Sequence, residues 1–302
     1  MIDRGQGPRA RGRLDGQVAI VTGAGRGIGR AIALALGNQG ATVVVASRTL
    51  LDAEETVALL RGKGHAANAT HVDVADWSSV EQMVSSAVGE FGGVHILVNN
   101  AGVQGPVSPL DENDVDAWAR TIQVNLVGAF HCCKAVIPWM RRAGGGAIVN
   151  LSGGGATAPR PNFSAYAASK AGVVRLTETL AEEMRPYGIR VNAIAPGAVN
   201  TRMYGEILAA GAKAGEKALM DAARQQETGG TPPELAAALV VFLASAASDG
   251  LTGKLVAAPY DSWQGWDEDR IADLMSDAWL TLRRMDAFTL GPLARKLIVG
   301  DG

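Results

Sequence analysis

The sequence predicts a single α/β domain: a doubly wound, mostly parallel sheet of seven strands with helices on both faces. Three observations carry that expectation. Short apolar runs such as Val18-Ala19-Ile20-Val21 and Thr42-Val43-Val44-Val45-Ala46 alternate with longer stretches of helical character. A glycine-rich turn, Thr22-Gly23-Ala24-Gly25-Arg26-Gly27-Ile28-Gly29, joins the first run to a stretch of strong helix formers, Arg30 to Leu36. The 302 residues, 47% of them hydrophobic, are enough for one large core and scant for two domains.

In chain order, strands are expected near 18–22, 42–46, 67–72, 94–98, 146–151, 189–194 and 254–258. Helices are expected near 28–39, 50–62, 77–91, 113–142, 165–186 and 232–245. Helical crossovers between strands imply parallel pairing, and ligands of such sheets bind at the carboxyl ends of the strands. The chemically suggestive segments all follow strands: 23–29, 47–48, 73–74, 99–102, 152–153 and 196–201. Beyond the last strand, Ile271, Leu274, Met275, Ala278, Leu282 and Met285 recur with helical period and predict an amphipathic helix near 267–286. Residues 1–13, rich in Gly and Arg and without the apolar core of a secretory signal, read as a flexible lead-in. The main domain is therefore expected over 14–258, with a Trp-containing helical extension over 259–302.

Composition narrows the function classes. A formal net charge of −2 offers no basic face for nucleic acid, and no apolar run is long enough to span a bilayer. Cytoplasmic residence is the expectation. The two cysteines, Cys132 and Cys133, are adjacent inside an apolar helical stretch, where neighbours point in different directions, so they read as inert core thiols. The four histidines show no metal-ligand spacing, and no metal is expected in the chemistry.

Tyr166 and Lys170 lie four residues apart, on one face of a helix. An ammonium beside a phenol stabilises the phenolate and draws its pKa down from about 10, so that the group can exchange a proton with an alcohol oxygen near neutral pH. The glycine turn is suited to a dinucleotide pyrophosphate, which rests on the N-terminus of the following helix. Together with Asp73-Val74, Asn99-Asn100-Ala101-Gly102, Val124-Asn125-Leu126, Arg190-Val191-Asn192 and Pro196-Gly197, in this order, these segments resemble the short-chain dehydrogenase/reductase family over roughly residues 14–258.

The resemblance implies a Rossmann-type fold and an oxidoreductase passing hydride between a nicotinamide and a secondary alcohol or ketone. It assigns Tyr166 as acid/base, Lys170 as its partner and ligand of the nicotinamide ribose, and Asn125 as the residue whose backbone carbonyl holds a water on the proton path. Gly23, Gly27, Ile28 and Gly29 would cradle the pyrophosphate. Asp73 and Val74 would edge the adenine, while Asn99, Ala101 and Gly102 form the floor below ribose and nicotinamide. Pro196, Gly197, Val199 and Thr201 would hold the carboxamide. At the end of the second strand NAD-preferring members carry an acid; here Ser47 and Arg48 stand there, and Arg26 lies in the turn. A guanidinium can clamp a 2′-phosphate, so NADP is expected in preference to NAD.

Two departures stand out. The family's catalytic serine lies thirteen residues before the tyrosine, which here is Gly153; Ser152 comes one residue earlier. Either a one-residue insertion in Gly153-Gly154-Gly155 lets Ser152 polarise the carbonyl, or that role is vacant. The second is the extension, with Trp263, Trp266 and Trp279, expected to pack on the parent domain or on a neighbouring subunit, with a lid over the substrate as the alternative. Residues 203–215, which cover the substrate in similar proteins, show no arginine cluster, and a modest alcohol, ketone or polyol is expected. Relatives pair through helices corresponding to 113–142 and 165–186, implying a homodimer or homotetramer. A dinucleotide-binding sensor or scaffold without turnover is the rival reading.

Overall fold

The computed structural model describes residues 13–276 and 279–283. Seven strands, β1 (Val18–Thr22), β2 (Thr42–Ser47), β3 (Ala67–His71), β4 (Ile96–Asn99), β5 (Gly146–Leu151), β6 (Ile189–Ala195) and β7 (Leu255–Ala257), form one sheet. Their order is β3-β2-β1-β4-β5-β6-β7, and every neighbouring pair is parallel. The chain runs outward from β1 to β3 and then returns to lay β4 against β1's other side, which opens a crevice at the carboxyl ends of β1 and β4.

Strand periodicity splits the core in two. Ala19 and Val21 face a cluster that includes Ile32 and Leu36 of α1 (Gly27–Asn38), Val57 and Leu60 of α2 (Leu50–Gly62), and much of α9 (Pro233–Ala244). The alternate residues Val18 and Ile20 face the other layer, with Met83 and Val84 of α3 (Trp77–Phe91), Cys132 and Val136 of α5 (Gly128–Arg142), and Ala181 of α6 (Ser164–Met184). Because both faces are covered, the central strands are apolar on both faces along most of their length rather than on alternate residues, with Asn150 and Asn192 buried among them. The edge strand β3 is the exception, with Asn68, Thr70 and His71 along it.

The helix expected over 113–142 is interrupted. It forms α4 (Val115–Ile122), then a π-helical turn from Gln123 to Val127, then α5. Two helices were not anticipated: α7 (Arg202–Ala210) and α8 (Glu216–Thr228). Glycines at 205, 211 and 215 and many small residues mask their period in sequence. Ile207 and Ala222 nevertheless meet Phe163 and Tyr166 in a third apolar cluster, with Val107 and Met203 at its margin.

The extension packs on the domain over its described part. Trp263 is buried, donates from Nε1 to the Ala258 carbonyl at 3.1 Å and stacks 5.7 Å from Phe242 of α9. Ile271 and Leu274 of α10 (Glu268–Ser276) join the same core cluster as α1 and α9. The helix does not continue through Trp279 to Arg283, as the period predicted: Leu280 adopts a left-handed φ of 59° and its carbonyl accepts the Leu255 N–H at 2.7 Å. The chain thereby covers the exposed edge strand β7. Residues 277–278 and 284–286 of the expected helix lie outside the described residues, as do most of the expected lead-in and the end of the extension. No helix among the described residues is long and apolar enough to cross a membrane.

Candidate active site

The glycine turn closes on itself more tightly than any side chain allows. Gly23 and Gly27 have φ of 65° and 55°, and a Cβ on Gly29 would sit 2.3 Å from the Gly23 carbonyl oxygen. α1 begins at Gly27, and its N-cap Arg26 makes no side-chain capping bond, so the first-turn N–H groups remain for an anion. Asn100 fastens the turn to β4: its Nδ2 donates to the carbonyls of Thr22 at 2.8 Å and Gly23 at 3.0 Å. Thr22 Oγ1 accepts the N–H groups of Asn100 and Ala101, both at 3.1 Å. A pyrophosphate fits this bare, rigid cradle.

At one end of the cleft stand Ser47, Arg48, Asp52, Asp73 and Val74. Ser47 Oγ accepts the Thr49 N–H at 3.2 Å, and Arg26 reaches Asp52 at 3.9 Å with more than half of its own side chain exposed. Asp73 pairs with Arg120 at 2.6 Å. Burial acts to raise the Asp73 pKa, but the Ala75 N–H, Arg120 and Arg48 together hold it below its ordinary value. The Val74 carbonyl bonds His131 Nδ1 at 2.9 Å, and Gly128 lets α5 approach Val74 so closely that a Cβ there would meet Cγ2 at 2.7 Å.

The opposite end is dry. Tyr166 and Lys170, one turn apart on α6, are 8% and 5% exposed. Lys170 Nζ donates to the Leu151 carbonyl at 2.8 Å and lies 5.6 Å from the Tyr166 ring centroid. A Cβ on Gly102 would stand 3.2 Å from Asn125 Oδ1 and 3.6 Å from Lys170 Nζ, which places that glycine beside both. Burial pushes the Lys170 pKa down to about 8. The Lys170 ammonium is not among the charges that oppose burial at the phenol. Burial raises the Tyr166 pKa, and the charge opposing that rise is the Arg160 guanidinium, 5.3 Å from the ring centroid. The Lys170 ammonium is instead turned toward a β5 carbonyl.

Gly153 and Ser152 stand differently toward the phenol. A Cβ on Gly153 would lie 2.8 Å from Tyr166 Oη, so the residue thirteen before the tyrosine faces the phenol without any shift in register. Ser152, expected to take that role through an insertion, is buried and donates from Oγ to the Lys170 carbonyl at 3.3 Å. It braces α6 against β5. Asn125 sits in the π turn, a feature frequent at functional sites. Its side chain is fully engaged: Oδ1 accepts the Val103 N–H at 2.8 Å, and Nδ2 donates to the Val103 carbonyl and Ser169 Oγ. Anything Asn125 offers the cleft comes from its backbone.

The cleft, about 720 Å³, brings together Gly23, Arg26, Gly27, Ile28, Gly29, Ser47, Arg48, Asp73, Val74, Ala101, Gly102, Ser152, Tyr166, Lys170, Pro196 and Thr201. Asn99 is a correction. Its Nδ2 donates to Asn150 Oδ1 at 2.8 Å and to Cys133 Sγ, deep between β4, β5 and α5, and its neighbour Asn100 lines the cleft instead. Gly197 and Val199 stand behind the wall: Gly197 packs on Thr231, and the Val199 N–H is taken by the Gly197 carbonyl at 3.2 Å. Gln104 lines the cleft and was not anticipated, while Met203 and Glu206 line it from the segment expected to cover the substrate. Met203 and Glu206 belong to α7, whose helical period is obscured, whereas Asn100 was legible as the second residue of its motif. Among the described residues no group of three His, Cys, Asp or Glu side chains could hold a metal. Cys132 and Cys133 are free and buried, with pKa values raised by burial.

A crevice of this kind defines a nicotinamide-dinucleotide site on a doubly wound sheet. Residues 17–211 match the family model described as short chain dehydrogenase. The chain is 42% identical over 241 residues to cis-4-hydroxycyclohexanecarboxylate dehydrogenase of Sinomonas cyclohexanicum, covering 80% of this chain and 94% of that protein. Its fold is similar to the crystal structure of NAD+-bound xylitol dehydrogenase, with TM-score 0.75 and 32% identity over 81% of this chain and 98% of that one. It is also similar to a gluconate 5-dehydrogenase from Burkholderia cenocepacia J2315 in complex with NADP and tartrate, with TM-score 0.73 and 32% identity, covering 87% and 98% of the two chains. The chain belongs to the short-chain dehydrogenase/reductase family. It is an oxidoreductase of alcohol or ketone substrates that uses a nicotinamide dinucleotide.

Proposed function

We propose that this protein interconverts a secondary alcohol and its ketone, preferring NADP over NAD, with Tyr166 as the acid/base. The observation that carries the reading is the burial of Tyr166 and Lys170 together at the carboxyl end of β5, on the wall of the cleft that begins at the glycine turn. When bound, the nicotinamide supplies or accepts the hydride. In the reductive direction Tyr166 Oη gives its proton to the oxygen of the carbonyl being reduced; in oxidation it takes that proton back. Lys170, about half protonated near pH 8, relays the proton and bonds the cofactor ribose. The Asn125 backbone carbonyl, in its π turn, holds the water that links this relay to solvent.

The remaining assignments follow the cleft. Gly23, Gly27, Ile28 and Gly29 receive the pyrophosphate, Asp73 and Val74 the adenine, and Ala101 and Gly102 the ribose side of the nicotinamide. Pro196 and Thr201 hold the carboxamide. NADP preference rests on Arg26 and Arg48 and on Ser47 in place of an acid, with Asp52 as the counterweight. The relatives named above act on a hydroxycyclohexanecarboxylate, xylitol and gluconate, which supports a small hydroxylated substrate. Phe130 on α5 and Val115 on α4 are exposed apolar side chains on a face suited to a homodimer or homotetramer.

One observation favours a second reading, a dinucleotide sensor or scaffold: the position facing the phenol is a glycine. The test is a screen of alcohols and ketones with NADP, NADPH, NAD and NADH, following reduced-nicotinamide absorbance. Turnover with a preference for the phosphorylated cofactor is expected. Tight cofactor binding without turnover of any substrate would support the sensor instead.

A further inference from the structure

Arg160 is a cation without a counterion among the described residues. Its guanidinium lies 4.0 Å from the Phe163 ring centroid and 5.3 Å from that of Tyr166. No ion pair or side-chain hydrogen bond satisfies it among the described residues. The nearest groups that bear on its charge are two phenols, Tyr166 and Tyr204. Glu206, the acid on the adjoining wall, is directed to Arg202 at 3.9 Å. A half-buried guanidinium stacked on aromatic rings keeps its in-plane N–H donors available to a ligand.

The backbone is built to place it there. Phe163 N–H donates to the Arg160 carbonyl at 3.2 Å, with Pro161 at the second position and Asn162 at a left-handed φ of 67° in the third. Pro followed by a positive-φ residue is the pattern of a type II turn. This turn folds the Arg160 side chain back over the start of α6. A non-glycine left-handed residue stores strain, and such strain gathers at ligand sites. The Asn162 carbonyl accepts the Ser108 N–H at 3.1 Å, which ties the turn to the loop that leaves β4. On that loop Gln104, 1% exposed and part of the cleft wall, has a buried Nε2 with no acceptor. Gln104 thus lines the same cleft as Tyr166, Arg160 lies beside the Tyr166 ring, and the cluster that Tyr166 joins is apolar.

We propose that Arg160 is the anion-recognising residue of the substrate pocket, and that the substrate is a secondary alcohol or ketone carrying a carboxylate, which the guanidinium holds while the reacting oxygen meets Tyr166 Oη. The proposal rests on the reading of Tyr166 as the acid/base and adds the substrate's charge. The planar fork of a guanidinium matches the two oxygens of a carboxylate, and an apolar surround strengthens that charge-assisted pair.

The test is calorimetric binding of cyclohexanecarboxylate, benzoate and butyrate to the full chain, each against its primary amide. At least one carboxylate is expected to bind tenfold or more tightly than its amide. Arg160→Met should abolish that preference and Arg160→Lys retain part of it, with amide affinity unchanged in both. In the unaltered protein, high ionic strength should weaken carboxylate binding and leave amide binding as it is, a measurement independent of whether a variant folds. Equal affinity for every acid and amide pair, or a preference that survives Arg160→Met, overturns the proposal. Arg160-dependent carboxylate binding without turnover of any hydroxy acid would overturn the redox reading alone.

Discussion

The two ends of the cleft use charge differently. At the end that holds Ser47 and Asp73, Arg26, Arg48, Asp52, Asp73 and Arg120 are partly or largely exposed, with Arg26 reaching Asp52 at 3.9 Å and Arg120 pairing with Asp73 at 2.6 Å. Water and salt screen such pairs, and each contributes little to stability. At the catalytic end Tyr166, Lys170 and Ser152 are all less than a tenth exposed. There burial outweighs every neighbouring charge, raising the phenol and lowering the amine. On the reading proposed above, the screened charges discriminate one cofactor from the other. Unscreened groups set proton affinities, and small displacements among them carry large consequences.

The widest gap between the two ends should appear on Tyr166→Phe, which removes the proton and is expected to lower kcat by about 10²–10⁴. Ser152→Ala, which loses only a brace on α6, should stay within roughly threefold, because Ser152 Oγ is directed to the Lys170 carbonyl. Steady-state kinetics of the two variants check both; a Ser152→Ala loss as large as that of Tyr166→Phe would return the polarising role to the serine. Next is Gly153→Ala. Its methyl would stand 2.8 Å from Tyr166 Oη and must displace the phenol, so kcat should fall about tenfold or more with cofactor affinity intact. An unchanged kcat would show that the phenol has room to move.

At the wet end the expected effect is smaller. Arg48→Ala should reduce the preference for NADP over NAD by about tenfold, the loss of one charge-assisted contact, with kcat unaltered. Measured dissociation constants for the two cofactors decide it, and an unaltered ratio would leave Arg26 as the discriminating residue. The smallest effect is on stability. Burial lowers the Lys170 pKa from 10.5 to about 8. Below pH 8 the folded state bears the full cost of a buried ammonium. Between 8 and 10.5 the unfolded chain binds the additional proton, so stability rises with pH across that window. Urea denaturation at pH 7 and pH 10 should therefore show Lys170→Met gaining less from the rise than the unaltered protein; equal gains would place the amine in water.

Much of the fold was legible because its signals are local. Strands buried on both faces read as continuous apolar runs, and the turn at Gly23 and Gly27 needs positive φ whatever surrounds it. The π turn at Asn125 escaped because its cause is a long-range clamp on Val103. Asn99 and Asn100 look alike in sequence, yet strand alternation sends one into the core and the other to the glycine turn.

The chain's one-dimensional pattern determined its family, its sheet, its tight glycine turn and the pairing of Tyr166 with Lys170 on one helical face. Each depends on spacing within a few residues or on backbone geometry that only certain residue types adopt. Tertiary structure decided which charge lies beside the phenol, that Gly153 faces it while Ser152 bonds the Lys170 carbonyl, and that the turn carrying Arg160 is tied to the loop after β4. Those outcomes depend on desolvation and on distances between segments far apart in the chain, which no local pattern encodes.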